Sequence, residues 1–243
     1  MKIDGRCFLV TTLLTCTIAT RSFAGVAPYV RLDFGGSGFR MTEANTFIKQ
    51  SETSLKSAGY PAAFQKVGTA FGPSASVGLW LFRGFRLGGT YSYLRSTRNN
   101  RVHVPGQLFY ADDLVFKMTE LGGEAAVRVA RLGGLTVGAN VANGRGELIE
   151  GFSVQDPYSL YTQDATAHRS KMTYGGFIGF DQTSLAGVAG FVRVGFQYRD
   201  IGKMPSHLSI SDGTTSWQAT GTTIPLNYTG VYFKAGVGYD LGH

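Results

Sequence analysis

The stretch that most limits what this chain can fold into lies near its C-terminus. Val231, Phe233, Ala235, Val237, Tyr239 and Leu241 alternate with Tyr232, Lys234, Gly236, Gly238 and Asp240. Successive side chains of a strand point to opposite faces, so one face here is continuously apolar and the other carries charge and glycine. The segment is eleven residues long, close to the about 9–11 residues a tilted strand needs to cross a bilayer. It reads as a membrane-spanning strand with lipid on one side and a polar lumen on the other.

The N-terminus points the same way. Lys2 and Arg6 form a basic region, Cys7 to Thr20 is uncharged and mostly apolar, and Ser22 and Ala24 are small residues at the positions a signal peptidase reads. The apolar run is too short to span as a helix, which predicts a secretory leader over residues 1–24, cleaved between Ala24 and Gly25. A lipoprotein leader at Leu13-Leu14-Thr15-Cys16 is the alternative, with Thr15 where a smaller residue is usual. Cys7 and Cys16 both lie in the leader, so residues 25–243 enter an oxidising compartment with nothing to cross-link. Removing its three bases and one acid takes the formal charge from +7 to +5. Only 16% of residues are charged, against about 25% in globular domains, as expected for strands that alternate between lipid and lumen.

Eight period-two segments can be placed: Pro28 to Gly35, Phe71 to Leu81, Phe85 to Leu94, Val115 to Val129, Leu135 to Ala142, Lys171 to Phe180, Val188 to Arg199 and Tyr228 to Leu241. In the fourth, Phe116 and Lys117 sit on the wrong faces unless a bulge intervenes. The connections alternate: long at 36–68, 95–113, 143–170 and 200–227, short at 83–84, 132–134 and 182–187. Short periplasmic turns alternating with longer extracellular loops predict an all-β, eight-stranded antiparallel up-and-down transmembrane barrel in the bacterial outer membrane. Ten strands is the alternative, should a long loop hide a hairpin. Ala44, Phe47, Ile48, Leu55 and Ala58 recur with helical spacing before Gly59 and Pro61, predicting an amphipathic helix over 43–58 across the outer mouth.

Phe196-Gln-Tyr-Arg-Asp-Ile-Gly202 resembles the Y-R-x-x-D-x-G stretch of small opacity-type and immunogenic outer-membrane proteins, one residue shorter in spacing. Gly236-Val-Gly-Tyr239-Asp-Leu241 is similar to their terminal strand, with Leu241 where that family usually has Phe. The resemblance implies a closed eight-stranded barrel and little about activity; the role expected of the chain is structural or surface-interactive, as a surface antigen. The resemblance leaves adhesins, tethers, enzymes and narrow pores all open.

An eight-stranded barrel is just wide enough for its own side chains to fill. The inward charges include Arg31, Asp33, Arg86, Glu120, Glu124, Arg128, Lys171, Arg193, Arg199, Lys234 and Asp240. Buried charges persist when paired, which predicts a plug in which Arg31, Arg193 and Lys234 neutralise Glu120 and Glu124. The alternative is a narrow anion-preferring pore. Arg95, Arg98 and Arg101 gather where the third strand leaves the outer leaflet, and guanidinium forks suit phosphate, so they are candidates for lipopolysaccharide contact.

A lipid A-modifying enzyme is the least favoured reading. His207-Leu-Ser209 resembles the H-x-S core of lipid A deacylases, but Ile210 replaces their Asn and the pair falls in an expected loop. No catalytic residue, cofactor or metal ligand set is assigned, and four scattered histidines do not have zinc-site spacing. The expected partners are outer-membrane lipids including lipopolysaccharide, the barrel-assembly machinery and periplasmic chaperones during biogenesis, and a host or surface ligand at the loops. Nucleic acid is not among them.

Overall fold

Two physical demands shape this molecule: in hydrocarbon every strand edge must be paired, and in water every large apolar face must be covered. The computed structural model describes residues 26–81, 84–129, 134–183, 187–223 and 225–241. The expected leader and its cleavage site at Ala24 and Gly25 lie outside these residues.

The strands are β1 (Val26–Gly38), β2 (Thr69–Leu81), β3 (Phe85–Val104), β4 (Leu108–Arg128), β5 (Leu135–Gln155), β6 (Leu160–Thr183), β7 (Val188–Tyr198), β8 (Asp200–Gly202), β9 (Pro205–Ser211), β10 (Ser216–Thr222), β11 (Leu226–Asn227) and β12 (Gly230–Asp240), with helix α1 (Thr42–Ser57) after β1. The ring runs β6-β5-β4-β3-β2-β1-β12-β7 and closes through β7 on β6. The C-terminal strand pairs with β1 from Tyr29–Asp240 to Ser37–Tyr232 and with β7 from Tyr239–Val188 to Gly230–Gln197. The chain is therefore an eight-stranded antiparallel barrel, all edges joined around its waist.

Its outer surface at this level is predominantly apolar. Leu32, Phe34, Leu87, Leu121, Val141, Ile178, Val194, Phe233 and Val237 are all exposed. Such a belt is far larger than the patches a soluble monomer shows. Phe85, Phe180 and Tyr239 ring its periplasmic end, as the alternation predicts; Tyr91 is exposed nearer the outer end, and Tyr174 stacks on Tyr198 at 5.0 Å. No helix among the described residues is long and apolar enough to cross a membrane.

Three of the four long loops are a correction to the sequence reading. The segments 95–113 and 143–170 are mostly strand: β3 continues to Val104, β4 starts at Leu108, β5 continues to Gln155 and β6 starts at Leu160. The segment 200–227 holds the β9–β10 hairpin, which adds to the upper half of β6 through Thr162–Ser211 to Ala167–Ser206. A hidden hairpin thus exists, but it extends the sheet above the bilayer and adds no stave to the ring.

The cause is an inversion of phase. Within the belt, even-numbered residues of β4 point inward and are polar (Glu120, Glu124), while Leu121 and Val127 face out. Above it, the inward residues become Met118, Phe116 and Leu114, all buried, and Lys117 faces out toward Glu147 at 3.8 Å. Register is unbroken through Phe116, which faces Ser96 on one side and Leu148 on the other. No bulge is needed: the face stays the same and the solvent outside changes from lipid to water, so apolar side chains move inside.

The main hydrophobic core accordingly sits above the membrane. Phe39, Met41, Ile48, Val67, Val102, Leu114, Phe116, Met118, Leu148, Ile201, Met204, Leu226 and Tyr228 form it. Helix α1 lies over it with Ala44 and Ile48 buried, one residue earlier at each end than the spacing predicts. It ends in a Schellman turn: Tyr60 N–H donates to Leu55 C=O and Gly59 N–H to Lys56 C=O, each at 3.0 Å. Gly59 takes φ 87°, a left-handed geometry that only glycine adopts cheaply, and Pro61 prevents continuation.

Candidate functional site

The barrel lumen is built by inward residues of all eight ring strands, and it is filled. At the periplasmic end Trp80 is buried beneath the guanidinium of Arg128 at 4.5 Å, and its indole N–H donates to Asp240 at 3.2 Å. Arg31 reaches Asp181 at 2.9 Å and Asp240 at 3.7 Å. Arg86 bridges Asp181 at 3.1 Å and Glu124 at 3.0 Å, and Thr136 donates a further bond to Asp181. Arg193 closes on the other oxygen of Glu124 at 3.1 Å.

Higher in the lumen Arg199 grips Glu120 with two parallel bonds, Nε to Oε1 at 2.9 Å and a terminal nitrogen to Oε2 at 2.8 Å. Ser92, Thr173 and Gln197 also donate to Glu120. Such forks are the strongest form of ion pair in proteins. Lys234 lies 3.7 Å from Asp33 and donates to Ser74, which itself bonds Asp33. Arg31 and Arg86 are wholly buried and Arg199 nearly so.

These contacts revise the expected pairing. Arg193 does neutralise Glu124, but Arg31 serves Asp181 and Asp240, and Lys234 serves Asp33. Glu120 meets Arg199 as its ion-pair partner, a residue outside the three cations assigned to it from the sequence. The apparent excess of inward base shrinks to one, Arg128 over the Trp80 ring, for two reasons. Lys171 is exposed above the lumen, 3.7 Å from Asp200, and Asp181 is an inward acid one residue beyond the expected end of the sixth strand. Continuing the alternation past Phe180 would have found it.

Aromatic rings fill the spaces between charges. Arg193 lies 4.9 Å from the Phe177 ring and 4.7 Å from Phe191, while Arg31 lies 5.0 Å from Phe191. Glycines make room where strands meet these rings: a Cβ on Gly88 would stand 2.2 Å from the Tyr29 hydroxyl. The cavity left among Asp33, Glu120, Glu124, Arg193, Arg199 and Lys234 measures about 30 Å³, room for a water or two.

The three arginines proposed as one cluster do not form one. Arg98 turns to the carbonyls of Lys66 and Thr97 at 2.7 and 2.6 Å, and Arg101 pairs with Asp113 at 2.9 Å. Arg95 faces out, opposite Lys117 in register, and Arg145 lies 3.2 Å from Glu147 farther round the same row. His207 and Ser209 share one face of β9, in a strand where a loop was expected; Ser209 accepts a bond from Gln218 at 3.2 Å. Among the described residues no group of His, Cys, Asp and Glu could hold a metal.

No family model matches the sequence, and no curated protein matches it. Solved structures do. A major outer membrane protein from Thermus thermophilus superposes with a TM-score of 0.50 at 10% identity, covering 88% of this chain and 99% of that one. The fold is that of an outer-membrane β-barrel. The outer membrane protease OmpT from Escherichia coli, at 10% identity, and CarO from Acinetobacter baumannii, at 14%, are more distant, with TM-scores of 0.43 and 0.37. OmpT covers 90% of this chain and 97% of its own; CarO covers 84% and 96%. The protein is an integral barrel of the outer membrane.

Proposed function

We propose that this barrel is a plugged membrane anchor that carries a folded β-structure to the cell surface for a structural or surface-interaction role. The observation that supports this is the lumen: five acids and five bases pair across it, with arginines fully removed from solvent. A conducting pore of this width would have to keep those groups hydrated, because charges survive burial only in pairs. The anion-preferring pore is the alternative, resting on the basic residues of the wall. Planar-bilayer recording of purified protein separates the two: no reproducible steps are expected, and reproducible anion-selective steps would overturn the plug.

The reading is non-catalytic. This is supported at the one pair the sequence singled out: Ser209 accepts a bond from Gln218 and His207 is exposed, an arrangement unlike the oriented nucleophile and base that hydrolysis requires.

Lipopolysaccharide contact is carried by the outward row of Arg95, Lys117 and Arg145 just above the belt, which takes the place of Arg98 and Arg101. Guanidinium and ammonium groups at that height meet lipid phosphates. Changing the three to Gln is expected to lower the lipopolysaccharide that co-purifies with the barrel at least twofold. Equal amounts in both preparations would remove the row from the account.

A further inference from the structure

Above the membrane, a cavity of about 470 Å³ opens between α1 and the inner face of β4 and β5, lined by Phe47, Leu55, Tyr110, Asp112, Glu150 and Phe152. A second cavity of about 290 Å³ adjoins it, sharing Phe47 and Glu150 and walled by Leu114, Phe116, Leu148 and Leu208. Both lie in the size range of small-molecule sites, about 300–1,000 Å³, and both have the mostly apolar lining with few polar groups that such sites show.

The charged groups are of one sign; the remaining polar lining, among it Gln50, Ser51 and Ser54 of α1 and Gln163 of β6, is neutral. Asp112 is 2% exposed, and its Oδ1 has no hydrogen-bond partner. Glu150 stands on the neighbouring rung of the same face of the β4–β5 ladder, opposite Leu114 while Asp112 is opposite Phe152. Neither carboxyl has an ion-pair partner among the described residues, whereas the five lumen acids do. Lys56, the base in the last turn of α1, is engaged by Glu52. Burial first, then the charges of Glu150 and Asp113, push the Asp112 carboxyl up to about 7; burial also raises Glu150. With no base paired to either carboxyl, burial favours their protonated forms, and a cation placed between them would favour the charged ones.

Aromatic rings border the same carboxyls. Tyr110 meets Phe152 edge-on at 5.3 Å and stacks with Phe64 at 5.3 Å. Ring faces beside carboxylates attract an ammonium group twice over, through charge and through the ring quadrupole. A neutral fatty ligand would fill the apolar walls and at most donate a hydroxyl to Asp112 Oδ1 without bringing charge, and an anionic one would be repelled.

We propose that this chamber binds an amphipathic ammonium compound, its cationic head between Asp112 and Glu150 beside Tyr110 and Phe152 and its apolar tail against Phe47, Leu114, Phe116 and Leu148. The site is independent of the plugged lumen below it.

Three water-soluble probes with one tail test the head group: hexylammonium, 1-hexanol and hexanoate. Each is titrated by calorimetry into the full barrel in lipid nanodiscs, with empty nanodiscs subtracting lipid partition. The unaltered protein is expected to bind the ammonium at least tenfold more tightly than either other probe. The near-isosteric D112N/E150Q variant, its folding verified by heat-modifiable gel mobility, is expected to lose that preference while still binding hexanol. Equal affinity for the three heads, absence of ammonium binding, or a preference that survives in the folded double variant would each overturn the site. The head-group comparison on the unaltered protein stands whether or not the variant folds.

Discussion

Arg199→Met is expected to lower the folding stability of the barrel by about 3–5 kcal/mol, the cost of leaving a buried carboxylate without its partner. Glu120 is 5% exposed and receives both ends of the Arg199 fork. Ser92, Thr173 and Gln197 would still donate to it, but none brings positive charge. Ser37 would also lose the bond it accepts from Arg199 at 3.0 Å. Combining Arg199→Met with Glu120→Leu removes both charges, and a buried ion pair replaced by apolar groups is often neutral. The double variant is therefore expected to recover most of the loss. Urea titration of protein refolded into lipid vesicles measures both; a double variant no more stable than the single would show that the two groups are not coupled.

Leu121→Arg carries the second large effect, about 2–4 kcal/mol of destabilisation for a cation on the lipid face of a barrel. Leu121 is 68% exposed on β4, flanked outward by Tyr91 of β3 and Asn143 of β5. In water such a substitution at an exposed strand position would be nearly neutral, so the penalty reports lipid directly. The same vesicle titration reads it. A change below about 0.5 kcal/mol, the ordinary surface value, would mean that Leu121 faces water.

The barrel itself was legible because period-two alternation, strand length and loop rhythm all report a wall with two different solvents. Val231 to Leu241 became the closing stave, between β1 and β7, as its pattern predicts. The ends of the strands were hidden by the same rule that revealed their middles. Apolar-out identifies a stave only in lipid, and above it Met118, Phe116 and Leu114 point inward on an unbroken ladder, so the pattern looks like a fault at Phe116 and Lys117. Helix α1 could be read from the spacing of Ala44 and Ile48 and from its Gly59 stop.

Lumen membership followed from alternation, but partner choice did not. Arg31 and Asp181 are 150 positions apart in the chain and meet only through the register of the closed ring. The acidic chamber was beyond the sequence for a related reason. Asp112 and Glu150 fell in segments read as loops, where carboxylates are ordinarily solvated; a strand and an overlying helix are what bury them.

The outside of one continuous strand, β4, passes from lipid to water while its inside passes from charge to core. Residues 26–243 contain no cysteine, so single cysteines at 121, 117 and 116 of β4 can each carry a nitroxide label in vesicle-reconstituted protein. Collision rates with oxygen, which concentrates in lipid, and with a water-soluble nickel complex locate each one. Oxygen-dominated collisions are expected at 121, nickel-dominated collisions at 117 and protection from both at 116. Matching lipid exposure at 117 and 121, or free nickel access at 116, would contradict this inversion.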